Sequence, residues 1–255
     1  MSIIRSICMA FAMYSKLPVP RVAWKKENMK YALCFFPLIG LIIGTLCMGW
    51  YFLSASLDKL TEVTRVGVII LIPLVISGGI HIDGYMDVMD ALHSWADRKK
   101  KLEIMKDPHV GAFAVIHVIL YYLLMLIALS QINTPGGMCV FSAGFCLSRI
   151  LSAISALTFP AAKKEGTLYE FTSASSTGVV RFTLIMQLLI CAVVMLCANV
   201  ILGGAVLVAN IGLMVFAYYL FVKEFGGVTG DTCGFLSSLV ELITALVVGL
   251  LSVVG

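Results

Sequence analysis

The chain has 255 residues, of which 60% are hydrophobic and only 13% are charged, and its mean hydropathy is +1.02. Soluble domains carry about 45–50% apolar and about 25% charged residues, so this composition excludes an ordinary soluble domain and predicts a polytopic membrane protein. The net charge of +4 is small, does not indicate a nucleic-acid partner, and fits basic residues that set orientation in a lipid bilayer.

The first thirty residues predict a short helix at the membrane interface. Apolar side chains between Ile3 and Phe11 recur at helical spacing, and six lysines and arginines lie within residues 1–30. The prolines of the segment 17–20 end this helix.

Seven apolar stretches follow, each near the roughly 20 residues that a bilayer core requires. They are continuous rather than alternating, which predicts an all-α helical bundle and not a membrane barrel. No internal repeat or linker interrupts them, so residues 1–255 are predicted to form one domain. We expect spans at about 32–55, 64–80, 110–130, 138–159, 179–200, 205–222 and 236–254, with polar connections at 81–109, 163–177 and 223–234.

Lysine and arginine are distributed very unevenly among the connections. Those on the N-terminal side carry fifteen, the opposite side carries two, and Arg149 falls inside the fourth span. The positive-inside rule then predicts a cytoplasmic N-terminus and an external C-terminus. Almost every unusual polar residue also falls on the cytoplasmic side, which favours an enzyme that opens to one face over a transporter.

Three aspartates carry the strongest chemical signal in the chain. Asp83, Asp87 and Asp90 are spaced i, i+4, i+7, which places them within about 60° of one another on a helix. Carboxylates crowded in this way repel one another unless cations neutralise them, and oxygen ligands suit Mg²⁺ or Mn²⁺. We therefore predict an Mg²⁺ site beside a phosphate-bearing substrate. A solvated acidic face is the alternative, weakened because acids are sparse elsewhere in the chain.

Further candidates lie on either side of this cluster. His81 is a candidate to bind phosphate or to accept a proton, or else a satisfied polar residue with no chemical role. Glu103 and Asp107, spaced i and i+4, are candidates to complete the metal shell or to orient the substrate. Lys106 and His109 lie nearer the membrane entry and are candidates for substrate binding.

Two later features are candidates for the same site. Arg149 is costly inside a span, so it either meets a substrate phosphate or pairs with a buried acid such as Glu241. The segment 226–234 holds four glycines and lacks the Gly-Lys-Ser/Thr of a P-loop, but it suits a backbone nest for phosphate. Asp231 is a candidate metal ligand within it. The candidates for phosphate binding there are Gly227, Thr229, Gly230 and Thr232.

These residues together resemble the pattern of the cobalamin synthase family. The run from His81 to Asp90 is similar to its H-x-D-G-x-x-D-x-x-D signature. The resemblance covers essentially the whole chain and departs at Met86, Val88 and Ala91, where the family usually has a small residue, threonine and glycine. Five further pieces match in the same order along the chain: 17–20, 36–40, 102–107 with Gly111, Ser148 with Arg149, and 226–232 with Glu241.

The resemblance implies a multi-pass enzyme of the cytoplasmic membrane of a prokaryote, with Mg²⁺ as its cofactor. Its reaction is the last assembly step of the nucleotide loop of cobalamin. A ribose hydroxyl of α-ribazole, or of its 5′-phosphate, attacks the cobinamide-linked phosphorus of adenosylcobinamide-GDP. GMP leaves, and adenosylcobalamin or its 5′-phosphate forms. The oligomeric state stays open, with a homo-oligomer among the alternatives.

The resemblance also suggests roles for the candidate residues. Asp83, Asp87 and Asp90 would hold Mg²⁺ on the diphosphate, and Asp231 would complete the metal site. The proton of the attacking hydroxyl would pass to His81 or to a carboxylate. The phosphate oxygens would be bound by Arg149 and Lys106.

Two other functions remain as alternatives. A CDP-alcohol phosphotransferase of phospholipid synthesis performs comparable chemistry, but the Ala-Arg of its motif does not follow Asp83-Gly84 here. A cation or vitamin transporter requires carboxylates in mid-span, and Glu241 is the only candidate.

Overall fold

The computed structural model describes residues 2–254, and within that range it contains helices and no strand, with one isolated parallel bridge between Ala161 and Val228. The predicted all-α class is confirmed. The helices are α1 (Ser2–Tyr14), α2 (Lys26–Met29), α3 (Ala32–Ala55), α4 (Glu62–Ser77), α5 (Ile80–His93), α6 (Arg98–Ile104), α7 (Ala112–Leu129), α8 (Pro135–Thr158), α9 (Thr167–Ala174), α10 (Thr177–Ala198), α11 (Val200–Phe225) and α12 (Gly230–Val254).

Six of the described helices are long and apolar enough to cross a membrane, namely α3, α7, α8, α10, α11 and α12. Helices α4 and α5 meet the same criteria only together, and they are bent by 93°. Residues 2–254 therefore contain six candidate membrane spans, or seven if the bent pair is one broken span. This agrees with the predicted multi-pass bundle.

The predicted second span, 64–80, corresponds to α4 and is three residues too long at its end. Helix α4 ends at Ser77, because Gly78 and Gly79 have φ angles of 65° and 81°. This left-handed conformation ends a helix and is readily adopted by glycine. Helix α5 then begins at Ile80, so the whole aspartate motif lies on a helix of its own.

The predicted polar connection at 223–234 is also too long. Helix α11 continues to Phe225 and α12 begins at Gly230, which leaves only the four residues 226–229 between them. Asp231 consequently lies in the first turn of a helix and not in a loop.

Helix α8 is the most deeply buried of the six long helices and packs against α3, α10 and α12. A Cβ atom on Gly40 or Gly44 of α3 would collide with the α8 backbone at Phe145 or Ser142. Small residues of this kind let two helix backbones approach closely inside a membrane. Helix α5 packs in turn on α12 and α7. The start of α3, the end of α8 and the start of α12 thereby meet at one end of the bundle.

The predicted N-terminal helix is present as α1 and packs on α3. Ile3 and Ile4 of this helix are exposed, as expected for a helix whose apolar face meets lipid. The backbone N–H of Lys16 donates to the carbonyl of Ile76 over 2.8 Å, which joins the end of α1 to the end of α4. The position of α1 at a bilayer surface stays a prediction.

Candidate active site

A cavity of about 360 Å³ opens at the end of the bundle where α3 and α12 begin and α8 ends. Its deep wall is apolar and includes Leu33 and Phe36 of α3 and Ala153 of α8. The connections at this end are those that carry most of the basic residues. The charged and hydrogen-bonding side chains in its lining are Tyr14, His81, Asp83, Lys106, Ser152, Lys163, Glu165, Thr167, Tyr169, Thr172, Thr229 and Asp231.

The carboxylates form a cluster at one side of this cavity. Asp83 and Asp231 line it, and Asp87 lies one turn further along α5. Asp83, Asp231 and Asp90 are all close enough to Asp87 to repel its carboxylate. Among the residues that the structure describes, no lysine, arginine or histidine forms an ion pair with any of these four aspartates. The negative charge of this cluster is therefore not neutralised by any ion pair, although Lys163 lies near Asp231.

Helices α5 and α12 bring Asp83 and Asp231 together through direct backbone contact. A Cβ atom on Gly84 would lie only 2.7 Å from the carbonyl oxygen of Asp231, so only glycine allows this approach. The ring of Tyr85 stacks on that of Phe235 at 5.6 Å and fixes the register of the two helices.

Asp90 occupies a different environment from the other two aspartates of the motif. Its carboxylate accepts hydrogen bonds from the backbone N–H groups of Gly111 (2.7 Å) and Ala114 (2.8 Å). N–H groups at the start of a helix have no acceptor within the helix itself. Asp90 supplies that acceptor, so it caps α7 and links α7 to α5. Metal binding by Asp90 stays a prediction.

The carboxylates suit Mg²⁺ by chemistry but are not arranged around one point. Asp83, Asp87 and Asp231 supply the hard oxygen ligands that Mg²⁺ prefers, and they lack cationic partners. However, no three His, Cys, Asp or Glu side chains within residues 2–254 are close enough to hold a single ion. Binding would require these side chains to reorient toward a common centre.

Three of the predicted site residues lie outside the cavity. Glu103 is exposed and pairs with Lys100 at 3.4 Å. Asp107 and His109 pair with each other at 2.6 Å, and both are exposed. Hydrogen bonds from the backbone and the ring of His109 hold the pKa of Asp107 below its usual range. Of the predicted residues between 103 and 109, only Lys106 lines the cavity.

Arg149 lies in the centre of the bundle and not in the wall of the large cavity. Its guanidinium pairs with the carboxylate of Glu241, and both residues are buried. Ser148 completes the group through hydrogen bonds to both partners. Of the two alternatives for Arg149, the structure contains the one in which the arginine pairs with a buried acid. Arg149 and Glu241 line a second cavity of only about 30 Å³.

His81 is buried and lines both cavities. Its Nδ1 atom faces Nη2 of Arg149 at 3.4 Å. Because a guanidinium can only donate, Nδ1 must accept, and the proton of the neutral ring is therefore assigned to Nε2. Nε2 has no protein partner among the described residues. This arrangement makes His81 a hydrogen-bond donor toward a ligand and disfavours it as a proton acceptor.

The glycine-rich connection after α11 has a largely structural role. Gly226 ends α11 with a φ of 79°. A Cβ atom on Gly227 would collide with the carbonyl of Pro160, so this glycine lets two connections pack together. Gly227 does not line the cavity.

Thr229 and Thr232 cap the start of α12 reciprocally. The N–H of Thr232 donates to Oγ1 of Thr229 (3.2 Å), and the N–H of Thr229 donates to Oγ1 of Thr232 (2.8 Å). Thr232 is fully buried, whereas Thr229 and Gly230 line the cavity. The first turn of α12 thus lies at the cavity, where its free N–H groups and the helix dipole favour an anion.

The model of the cobalamin-5-phosphate synthase family matches residues 6–249, nearly the whole chain. The chain belongs to this family. Similar curated proteins named adenosylcobinamide-GDP ribazoletransferase support the assignment. The protein of Lachnoclostridium phytofermentans is 37% identical over 250 residues, which cover 96% of this chain and 93% of the relative.

Two further relatives of the same name cover most of the chain. The protein of Clostridium botulinum strain Alaska E43 is 31% identical over 98% of this chain and 97% of its own length. The protein of Geobacillus kaustophilus is 31% identical over 89% of this chain and 88% of its own length. No solved structure matches the chain.

This member of the cobalamin-5-phosphate synthase family has two charged residues in its cavity that sequence reasoning missed. Lys163 and Glu165 follow α8 in a segment that we had interpreted only as a polar connection. No local pattern marks them, because they reach the cavity through the contact between residues 160–162 and Val228.

Proposed function

We propose that this protein transfers the cobinamide-phosphate moiety of adenosylcobinamide-GDP to α-ribazole, or to its 5′-phosphate, and releases GMP. The observation that carries the proposal is a single cavity where unneutralised carboxylates of α5 and α12 face lysines and the start of a helix. Diphosphate chemistry uses such a combination, because charge neutralisation and positioning supply most of the catalysis. Relatives of that name over nearly the full length support the choice of substrates.

Asp83, Asp87 and Asp231 are the residues we assign to Mg²⁺. Their oxygen atoms and their lack of cationic partners support this assignment. Bound there, the ion would supply neutralisation of the diphosphate charge during transfer.

Other groups of the protein bind and orient the phosphates. Lys106 brings a positive charge to the cavity, and the first turn of α12 at Gly230 offers backbone N–H groups. His81 donates from Nε2 to a substrate oxygen. Leu33 and Phe36 form an apolar wall that excludes water from the reacting phosphorus.

A carboxylate takes the proton of the attacking hydroxyl. The carboxylates of the cluster line or adjoin the cavity, whereas Nδ1 of His81 is turned toward Arg149. Of the two acceptors open on sequence grounds, His81 and a carboxylate, this geometry supports the carboxylate.

The size of the cavity suggests how the large donor is placed. Pockets of roughly 300–1,000 Å³ hold drug-sized ligands, and this one is about 360 Å³. It can take the nucleotide and phosphate end of the donor, while the corrin ring stays at the opening.

The active site faces the cytoplasm in this proposal. The cavity lies at the bundle end whose connections carry fifteen of the eighteen basic residues, which supports a cytoplasmic position under the positive-inside rule. Alkaline phosphatase fused after residue 255 should be active in a bacterial host, because the C-terminus is assigned to the outside. An inactive fusion that is present in full length would contradict this orientation.

The direct test of activity is a reaction with purified protein. Adenosylcobinamide-GDP, α-ribazole and a titration of Mg²⁺ should give GMP and a corrinoid product in equal amounts. Chelation by EDTA should stop both. CDP-diacylglycerol with glycerol 3-phosphate serves as the matched control for phospholipid synthesis. Release of CMP in that control, with no GMP in the first reaction, would overturn the proposal in favour of a CDP-alcohol phosphotransferase.

A further inference from the structure

The connection between α8 and α9 is held against the start of α12. The N–H of Val228 donates to the carbonyl of Pro160 over 2.7 Å, and the N–H of Ala162 donates to the carbonyl of Val228 over 3.1 Å. Gly227 permits this contact, because any larger residue would collide with Pro160. The next residue, Lys163, is thereby positioned in the wall of the cavity and partly buried.

Lys106 reaches the same cavity from a different part of the chain. It follows α6, which is held on α11 by the ion pair of Lys101 with Glu224 at 2.5 Å. The guanidinium of Arg98 adds a hydrogen bond of 2.8 Å to the carbonyl of Lys223. The segments that precede both lysines are therefore held by tertiary contacts, although Lys106 itself is exposed and Lys163 is partly buried.

The side chains of Lys106 and Lys163 line the same cavity, and neither has an ion-pair partner among the described residues. Burial, and then the charge and proximity of Lys106, lower the pKa of Lys163 below its ordinary value. Within residues 2–254 neither lysine forms an ion pair with an acid, although Glu165 and Asp231 are near Lys163. Two like charges in one cavity repel each other, and an anion bound between them would offset this repulsion.

We propose that Lys163 is a substrate-binding residue and that, together with Lys106, it binds one phosphate group of a substrate. This inference rests on the proposed function for the identity of the substrate but not for the presence of the phosphate site. The phosphate belongs either to the donor diphosphate or to the 5′-phosphate of the acceptor.

Lys164 provides a matched control for Lys163. It carries the same charge and is the next residue, but it is exposed and does not line the cavity. A general effect of net charge would appear in both variants, whereas a phosphate site at Lys163 would be lost in only one.

The first experiment measures binding of inorganic pyrophosphate to the full-length protein in detergent by calorimetry, at low salt and without Mg²⁺. We expect Lys163→Gln to weaken binding by about tenfold or more, since it removes a charge-assisted hydrogen bond. Lys164→Gln should bind as the parent does. The inference is overturned if the parent does not bind pyrophosphate, if Lys163→Gln binds as well as the parent, or if both variants weaken binding equally.

The second experiment identifies which phosphate is bound. KM values are measured for the donor and for each acceptor, α-ribazole and α-ribazole 5′-phosphate. If Lys163→Gln raises KM only for α-ribazole 5′-phosphate, the lysine binds the 5′-phosphate of the acceptor. If it raises KM for adenosylcobinamide-GDP, whichever acceptor is used, the lysine binds the diphosphate of the donor. Lys163→Arg should restore most of the loss. Unchanged KM values for all three in Lys163→Gln would overturn the inference.

The two proposals fail in different ways. If the parent releases no GMP but binds pyrophosphate in a manner that depends on Lys163, the proposed function fails and the phosphate site stands. If the parent is active and Lys163→Gln changes neither binding nor KM, the phosphate site fails and the function stands.

Discussion

Two groups of charged residues in this protein differ in how their charges are compensated. In the centre of the bundle, Glu241 and Arg149 form a buried ion pair, with Ser148 and His81 beside it. At the cavity, Asp83, Asp87 and Asp231 repel one another and have no cationic partner among the described residues. The opposite charges of the first group are paired within the protein, whereas the carboxylates of the second group form no ion pair.

This difference separates residues that hold the fold from residues that await a substrate. A buried charge is tolerated in a membrane only when it is paired, and the pair then resists change. An unpaired cluster at an opening costs stability unless cations and anions bind there. Substitutions should therefore act mainly on stability in the first group and mainly on activity in the second.

The largest expected effect is on the central ion pair. Arg149→Leu should lower the free energy of unfolding by about 3–5 kcal/mol, because it leaves Glu241 buried without a partner. Thermal unfolding in detergent measures this loss. The double variant Arg149→Leu with Glu241→Leu should regain most of the stability. A single variant that unfolds at the parent's temperature would show that the pair does not hold the bundle.

The next effect separates activity from stability at the cavity. Asp87→Asn should lower the rate of GMP release by about a hundredfold or more at every Mg²⁺ concentration, because it removes a proposed metal ligand. Its unfolding temperature should stay the same or rise, since the repulsion within the cluster is reduced. Activity like the parent's throughout the Mg²⁺ titration would remove Asp87 from the metal site.

Variants of Asp90 test whether this residue acts on stability, as the central ion pair does, or on activity, as the cavity carboxylates do. Asp90→Ala should cost about 1 kcal/mol of stability, because the start of α7 loses its cap. Asp90→Asn should keep most of the activity and lose less stability than Asp90→Ala, since its single amide oxygen can still accept from one of the two N–H groups. A loss of activity in Asp90→Asn as large as that in Asp87→Asn would instead make Asp90 a metal ligand.

The smallest effects are expected outside both groups. Glu103→Gln and Asp107→Asn should change the rate of GMP release less than twofold and the stability by less than about 0.5 kcal/mol, because both residues are exposed and away from the cavity. Parallel assays with the Asp87 variant provide the comparison. A tenfold loss of activity in either variant would show that this segment closes over the substrate.

Much of the bundle could be predicted from the sequence. Span 32–55 coincides with α3, and most other predicted ends lie within a few residues of the observed helices. The reason is that a bilayer requires about 20 continuous apolar residues, which is a local property of the chain. The end of the second span at Gly78 and Gly79 was predicted, but the 93° bend between α4 and α5 was not, because an apolar run does not reveal a change of direction.

The candidate site could be predicted only in part. Spacing correctly placed Asp83 and Asp87 on one helix, but it could not show that Asp90 turns to the start of α7. Residues Glu103, Asp107 and His109 were grouped with the site from nearby sequence, yet they point into solvent. Lys163 was missed, because its place depends on a contact with Val228 that lies 65 positions further along the chain.

The sequence by itself determined the membrane class, the helices and the family, because hydropathy, helical periodicity and motif spacing are properties of neighbouring residues. Only the tertiary structure decided which charges are paired and which remain open. The pairing of charges depends on close helix contacts, such as the one that Gly84 permits with the backbone of Asp231. It also depends on which carboxylate accepts a hydrogen bond from another helix, as Asp90 does from Ala114. Contacts of this kind join distant parts of the chain, so no local pattern encodes them.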